Sequence, residues 1–218
     1  MTEIDLWCGP MYGRKTKDLI LELRAAEREG LAVLAVKSML DINRYPEIVV
    51  QSLGPDPRWI PAALTSFDGD RYPCMAVKEA AVILELVKKA GGYDRVGIDE
   101  GHFMPGLYKV VLELIEFGVG RILIAQLDLD FKRAPFCEID LFRELATNVY
   151  QCRARCERCR GVAIYSQRLI NRLPAFSTDP VVLVGSKLEG ATETYHAACV
   201  NCHIVPNEGD FREPWFPE

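Results

Sequence analysis

The stretch WCGPMYGRKTKDL, residues 7–19, decides the fold. It follows a short apolar run and leads into a segment whose apolar residues recur at helical spacing. A phosphate-binding loop has glycine, four further residues and then Gly-Lys-Ser/Thr. Gly9 opens this pattern, Lys15 and Thr16 close it, and Arg14 stands where the second glycine is expected. The sequence therefore predicts a nucleotide-binding loop with one altered position.

Such a loop binds phosphates because backbone N–H groups and a helix N-terminus surround them. Lys15 would add a positive charge at the outer phosphates, and the Thr16 hydroxyl would contact Mg²⁺. The Cβ of Arg14 would intrude where glycine lets phosphate approach. Its side chain would either point outward or contact phosphate through its own donors, with Gly13 letting the loop adjust. The alternative is a solvated helix start with a stray lysine.

The chain around this loop alternates between apolar runs and helical periodicity, the pattern of an α/β fold. Apolar runs typical of buried strands cover residues 4–8, 31–37, 95–101 and 121–127. Helical periodicity covers residues 15–29 and 76–92, and a further helix begins at Pro105. The proline-bearing segment 38–73 is too long for an ordinary connection and is expected to be functional or poorly ordered. Together these patterns predict a parallel sheet with helices on both faces.

Composition limits the classes of protein to consider. The chain has 218 residues and a net charge of −5, which argues against a nucleic-acid partner, since phosphate backbones bind basic surfaces. It contains no run of 18 apolar residues, so no membrane span is expected. The N-terminus is acidic where a signal peptide would be basic, and a cytoplasmic location is therefore expected.

A second candidate constellation is GIDEG, residues 97–101, at the end of a predicted strand. Asp99 matches the position whose carboxylate holds Mg²⁺ in phosphate-loop enzymes. Glu100 faces the other way because side chains alternate along a strand, and it could act as a base toward a hydroxyl. The alternative is a pair of solvated acids at a strand end.

A third constellation is a set of four cysteines in two Cys-x-x-Cys pairs, a spacing typical of a closed, structural zinc site. These are Cys156, Cys159, Cys199 and Cys202. Cys152 and His203 are competing ligands by their proximity to these pairs. A basic stretch beside the first pair, CRARCERCRG (152–161), leaves open a zinc-ribbon protein that binds nucleic acid. The more ordinary interpretation is a solvated knuckle.

Three scattered cysteines, Cys8, Cys74 and Cys137, are expected to be small buried apolar fillers. The composition changes near residue 149, where the chain becomes rich in cysteine and arginine. The C-terminal stretch is expected to be an exposed, disordered end, although Trp215 and Phe216 could dock on a neighbouring subunit.

Seven motifs occur in order: GPMYGRKT, DINRY, SFDG, GIDEGHF, LDLDFKRAPF, CERC and GATETYHAACVNC. Together, over residues 4–203, they resemble the thymidine kinase family of the cellular, zinc-containing type. The resemblance implies a RecA-like phosphate-loop domain over 1–149, a small zinc domain with a lasso loop over 150–206, and a tail over 207–218. It implies transfer of the γ-phosphate of ATP to the 5′-hydroxyl of thymidine in deoxynucleoside salvage. It also implies a homo-oligomer, tetramer or dimer, inhibited by dTTP.

The resemblance also implies roles for individual residues. Glu100 would be the catalytic base, and Thr16 and Asp99 would hold Mg²⁺. The residues implied at ATP and its phosphates are Gly9, Pro10, Met11, Tyr12, Gly13, Arg14, Lys15, Thr16, Asp41, Arg44 and Asp99. Those implied at the nucleoside are Met11, Phe103, Phe131, Phe136 and Tyr195. The four paired cysteines would hold structural Zn²⁺.

Several positions depart from the family's pattern, and they motivate an alternative function. The departures are Arg14, the wider spacing of Asp41 and Arg44, Phe67 in place of histidine, His102 in place of glutamine, and the extra stretch 186–190. The alternative is a catalytically impaired, nucleotide-binding module that regulates or pairs with an active subunit. The candidate base, the magnesium residues, Lys15 and the paired cysteines are all retained, which favours an active kinase.

Overall fold

The computed structural model describes residues 2–44, 58–181 and 192–216, which form two compact units. The first unit consists of Met1–Cys8, Arg14–Gln126 and Cys137–Gln151. The second consists of Gly9–Gly13, Leu127–Phe136 and Cys152–Glu218. The sequence-based division at 149/150 follows the chain continuously, whereas the second unit also includes two short segments that precede residue 149, Gly9–Gly13 and Leu127–Phe136.

The first unit is built on a seven-stranded sheet in the order β3-β4-β2-β5-β6-β1-β7. Its strands are β1 (Glu3–Cys8), β2 (Val33–Ser38), β3 (Trp59–Thr65), β4 (Arg71–Val77), β5 (Arg95–Asp99), β6 (Arg121–Gln126) and β7 (Asn148–Gln151). Neighbouring strands are parallel, except for the antiparallel pair β3 and β4. Parallel strands expose their carboxyl ends at one edge of the sheet, and Asp99 ends β5 at that edge.

Four helices cover this sheet: α1 (Lys15–Arg28), α2 (Ala81–Ala90), α3 (Leu107–Phe117) and α4 (Ile139–Leu145). α1 buries Leu19 and Leu23 at helical spacing and contacts β5 and β6. Its approach to β5 is close, because a Cβ on Gly97 would lie 2.7 Å from Leu23 Cδ2. This contact holds α1 close to β5 within the first unit.

The second unit contains short antiparallel strands. They are β8 (Ala154–Arg155), β9 (Val162–Ala163), β10 (Tyr165–Ile170), β11 (Leu173–Pro174) and β12 (Glu193–Ala198). β8 pairs with β9, and the other three form a sheet in the order β11-β10-β12. Their small core contains the cysteines Cys156, Cys199 and Cys202 together with Leu169. A unit with so few apolar residues needs a further stabilising element such as a metal.

The predicted strands and helices of the α/β part are present, but the helix predicted over 76–92 covers only Ala81–Ala90, because residues 76 and 77 end β4. The segment 38–73 was expected to be a long connection that is functional or poorly ordered, whereas its described part holds a short 3₁₀ helix, Met39–Arg44, and most of the hairpin of β3 and β4. β3 is an edge strand that carries Pro61, and β4 carries Pro73, so neither shows the uninterrupted apolar run of a central strand. Residues 45–57 lie outside the described ranges, as does the extra stretch 186–190.

The C-terminal tail was predicted to be an exposed end, and this is wrong for Trp215, although most of residues 207–214 are exposed. Trp215 is 1% exposed, and its indole N–H donates to the carbonyl of Cys202 at 2.8 Å. Its backbone N–H donates to the Arg172 carbonyl at 3.1 Å. The guanidinium of Arg212 stacks on Phe176 at 3.7 Å from the ring centroid. Trp215, near the end of the tail, is therefore part of the second unit's core.

No helix among the described residues has both the length and the apolar character that crossing a membrane requires.

Candidate active site

The phosphate loop begins at Gly9, directly after β1, in a conformation that requires glycine. Its φ is +139°, and a Cβ there would lie 2.4 Å from the carbonyl oxygen of Cys152. The Gly13 N–H closes the loop by donating to the Pro10 carbonyl at 3.2 Å. Cys152 thus packs against the glycine loop within the second unit. This packing gives Cys152 a structural role that does not require it to be a metal ligand.

Arg14 adopts the left-handed backbone that a glycine would adopt at this position. Its φ is 67° and its ψ is 8°, and it forms the N-cap of α1. Its side chain is 63% exposed, with Nη2 3.9 Å from Oδ1 of Asp18 one turn along the helix. Of the two sequence-based alternatives for this residue, the structure has the outward-pointing side chain. The loop keeps its path at the cost of backbone strain in one non-glycine residue.

Thr16 and Asp99 come together at the carboxyl edge of the first unit's sheet. The Thr16 hydroxyl donates to Asp99 Oδ1 at 3.1 Å, and Lys15 beside it is buried. Burial, followed by the negative charges of Glu100 and Asp41, raises the pKa of Asp99 to about 8. A buried carboxylate among like charges is stabilised by a cation, and hydroxyl and carboxylate oxygens are ligands that Mg²⁺ accepts. These residues therefore fit the predicted magnesium site.

Glu100 follows Asp99 but leaves the strand geometry. Its φ of 54° and ψ of 39° are left-handed and start the 3₁₀ helix Gly101–Phe103. Its side chain is only 18% exposed, and Oε2 lies 3.3 Å from Nε2 of the buried His102. The sharp turn, rather than strand alternation, separates this carboxylate from that of Asp99. A carboxylate held in this way can accept a proton from a hydroxyl that comes within hydrogen-bond reach.

Lys37, which was not singled out from the sequence, lies on the strand next to Asp99. Lys37 is in register with Asp99 across β2 and β5, and its Nζ lies 3.0 Å from Oδ2 of Asp41. Both side chains of the pair are buried. Arg44 closes the same 3₁₀ helix as Asp41, and its side chain lies outside the described residues. The sequence did carry a signal for Lys37, because it is a charged residue at the end of an apolar strand. A buried charge needs a partner.

Four of the five nucleoside candidates, Met11, Phe131, Phe136 and Tyr195, lie in the second unit, and Phe103 lies in the first. Within the second unit, the Met11 N–H donates to the Ser166 hydroxyl at 3.0 Å. The Tyr12 hydroxyl donates to the Tyr195 carbonyl at 3.0 Å. Ser166 was not singled out from the sequence, because no local motif marks a strand residue that contacts a loop 155 positions away.

The four paired cysteines converge as predicted. The Sγ atoms of Cys156, Cys159, Cys199 and Cys202 all lie within 4.8 Å of one another. The Sγ atoms of Cys159 and Cys199 are 3.5 Å apart. Tetrahedral zinc with bonds of about 2.3 Å places its sulfur ligands about 3.8 Å apart, so this cluster fits Zn²⁺. The set is closed, which is typical of a structural site.

The two competing ligands do not belong to this cluster. Cys152 packs on the glycine loop, and His203 Nδ1 accepts from Arg133 Nε at 3.1 Å. Burial, with the nearby charge of Arg133, lowers the pKa of His203 to about 4, so the ring is neutral and accepts this hydrogen bond. Of the three scattered cysteines, Cys8 and Cys74 are buried as predicted. Cys137 is exposed, so the prediction for it is wrong.

The comparisons with known proteins agree with the resemblance seen in the sequence. The family model described as thymidine kinase matches residues 2–203. A curated relative from Coprothermobacter proteolyticus, named thymidine kinase, is 34% identical over 206 residues, which cover 94% of this chain and 92% of that protein. The match includes the phosphate loop, the Asp99–Glu100 turn and all four clustered cysteines, and by its extent the chain belongs to the thymidine kinase family.

Proposed function

We propose that this protein transfers the γ-phosphate of ATP to the 5′-hydroxyl of thymidine. The observation that carries the proposal is the contact of the Thr16 hydroxyl with Asp99 Oδ1 at 3.1 Å, directly before Glu100. It joins the helix that follows the phosphate loop to the strand end that bears the candidate base. The residues proposed for magnesium and phosphate binding are therefore close in the chain or in space to the proposed base.

The loop from Gly9 to Thr16 binds the ATP phosphates through its backbone N–H groups and the N-terminus of α1. Lys15 places its ammonium at the outer phosphates, and Thr16 and Asp99 hold the magnesium ion. Mg²⁺, when bound, neutralises the charge on the β- and γ-phosphate oxygens. Asp41 lies beside the phosphates with Lys37 as its partner, and Arg44 follows it on the same short helix.

Glu100 accepts the proton of the thymidine 5′-hydroxyl as that oxygen attacks the γ-phosphorus. The new bond joins the 5′-oxygen to phosphorus, and the bond to the β,γ-bridging oxygen of ATP breaks. ADP leaves with those electrons, and the products are ADP and the 5′-monophosphate. Positioning and charge neutralisation carry most of the catalysis in such a transfer.

Met11, Phe103, Phe131, Phe136 and Tyr195 contact the nucleoside in this proposal, as the family resemblance implies. The cysteine cluster holds Zn²⁺, which fixes the β8–β9 turn to the end of β12 and so shapes the second unit around Tyr195. Zinc has no open coordination position in a four-thiolate site and takes no part in the chemistry.

We also propose that the protein acts in the cytoplasm as a homo-oligomer, tetramer or dimer, and that dTTP inhibits it. These proposals rest on the family resemblance.

The second candidate function is an impaired nucleotide-binding module that pairs with an active subunit. Arg14 in the phosphate loop and Phe67, which is 77% exposed at the β3–β4 turn, favour it. The outward side chain of Arg14 supports the active kinase instead, because the loop's interior is left to backbone groups.

The test is to incubate the zinc-loaded protein with ATP·Mg²⁺ and each of the four deoxynucleosides, and to measure ADP and 5′-monophosphate together. We expect equal amounts of both products, with thymidine as the preferred acceptor. Binding of dTTP without any monophosphate would select the impaired module. Preference for another deoxynucleoside would retain the kinase and overturn thymidine as its substrate.

A further inference from the structure

Arg168, in the middle of β10, is an arginine with no exposed surface. A fully buried guanidinium is rare, because leaving water costs several kcal/mol unless charges and acceptors surround it. None of the roles assigned above uses this residue. Its partners therefore indicate what the buried charge does.

The guanidinium joins two points of the chain that are distant in sequence. Its Nη1 donates to the carbonyl of Pro180, and its Nε lies 2.9 Å from Oε1 of Glu193. Pro180 lies six residues after the end of β11, and Glu193 is the first residue of β12. Arg168 therefore contacts both the described part of the connection after β11 and the start of β12.

The same guanidinium also lies 5.2 Å from the ring centroid of Phe131, within the range of a cation–π contact. On β12, the register partner of Arg168 is Tyr195. Phe131 and Tyr195 are both nucleoside candidates, and Arg168 is the described residue that contacts one and pairs across the sheet with the other. One buried charge thus connects two proposed nucleoside contacts with Pro180 and with the first residue of β12.

We propose that Arg168 is a positioning residue for nucleoside binding, which acts through Phe131, Pro180 and Glu193 without touching the reacting atoms. The inference rests on the proposed function and goes beyond it by assigning a residue that sets affinity for the nucleoside. A planar guanidinium is needed because it can donate to the Pro180 carbonyl and form an ion pair with Glu193 while its face covers an aromatic ring. A lysine ammonium cannot do both.

The test compares Arg168→Lys and Glu193→Gln with the parent protein. Arg168→Lys keeps the charge and removes the planar fork. Glu193→Gln keeps an acceptor in nearly the same shape and removes the ion pair. Arg155→Lys is the matched control, since Arg155 lies in the same unit on β8 and is exposed. Zinc content and the thermal midpoint of each variant establish that it is folded.

For each variant, kcat and the KM values for thymidine and for ATP are measured separately. We expect Arg168→Lys to raise the KM for thymidine at least tenfold, and Glu193→Gln to raise it two- to fivefold. The KM for ATP should stay within twofold in both, and Arg155→Lys should match the parent throughout. A merely structural role would lower the fraction of active protein, and so kcat, without this selective effect on thymidine.

An unchanged KM for thymidine in folded Arg168→Lys would overturn the proposal and leave the proposed function standing. If Arg168→Lys does not fold, an unchanged KM in Glu193→Gln has the same meaning. If the parent shows no turnover, the proposed function fails, and calorimetric binding of thymidine to the same three variants replaces the kinetic comparison. Thymidine binding that is equal in parent and variants, or absent in all of them, would overturn the role of Arg168.

Discussion

The left-handed backbone of Arg14 makes a quantitative prediction for Arg14→Gly. An L-residue in this conformation costs about 1–2 kcal/mol relative to glycine, and the φ of 67° places Arg14 in that region. Glycine would increase the conformational entropy of the unfolded chain, which lowers the free energy of unfolding by about 0.5–1 kcal/mol. The lost ion pair with Asp18 is 3.9 Å long and largely exposed, so it contributes at most about 0.5 kcal/mol.

The sum places Arg14→Gly between a loss of about 0.5 and a gain of about 1.5 kcal/mol in the free energy of unfolding, which corresponds to a rise of at most about 6 °C in the thermal midpoint. Arg14→Ala is the matched control, because it keeps the backbone strain and loses only the ion pair. It should lower the midpoint by about 2 °C or less. Thermal unfolding followed by circular dichroism measures both variants.

Because the side chain points outward, both variants should keep kcat/KM for ATP within about threefold of the parent. A gain of tenfold or more in Arg14→Gly would mean that arginine obstructs the phosphates, as the impaired-module alternative requires. A tenfold loss in Arg14→Ala would mean that the guanidinium binds phosphate. Destabilisation by more than 1 kcal/mol in Arg14→Gly would refute the strain argument itself.

Three further predictions concern burial in both units. Trp215→Ala should lower the free energy of unfolding by about 3–5 kcal/mol in urea, whereas Phe211→Ala, at a residue that is 88% exposed, should change it by less than about 0.5 kcal/mol. Equal effects would contradict the docking of the tail. Gly9→Ala should lower kcat/KM for ATP at least tenfold, because the new Cβ would meet the Cys152 carbonyl at 2.4 Å; unchanged kinetics would count against the loop's close packing. Burial raises the pKa of Cys74 to about 12 and also raises the pKa of Cys137, but Cys137 is exposed, so at pH 8 iodoacetamide should label Cys137 before Cys74, as peptide mass spectrometry would show, and the reverse order would contradict the deeper burial of Cys74.

The sequence predicted the parts of the site that are local in the chain. The phosphate loop, the turn at Asp99 and Glu100, and the two cysteine pairs each fit within a few residues. The spacing of residues within each motif was therefore enough to predict its chemical role. The alternation of strands and helices was equally readable, because buried parallel strands are continuous apolar runs. The conformation of Arg14 could not be predicted from the sequence, since an arginine is compatible with either orientation of its side chain.

The parts that were missed depend on contacts between distant residues. The two N–H groups of buried Trp215 donate to the carbonyls of Cys202 and Arg172. The composition of the tail does not indicate these partners. Lys37 became a candidate only when the sheet register placed it beside Asp99. Arg168 likewise gained a role only through partners on other elements. Tertiary partners, rather than local propensity, decide whether such charged residues are buried.

The most direct test of the central claim is to measure transfer of labelled γ-phosphate from ATP·Mg²⁺ to thymidine by the parent and by Glu100→Gln. The binding of thymidine to both proteins is measured by calorimetry in the same preparation. If Glu100 accepts the 5′-hydroxyl proton, the parent will form the monophosphate, and Glu100→Gln will lose at least a hundredfold in kcat while binding thymidine within about threefold of the parent. Turnover by Glu100→Gln at the parent's rate would contradict the account.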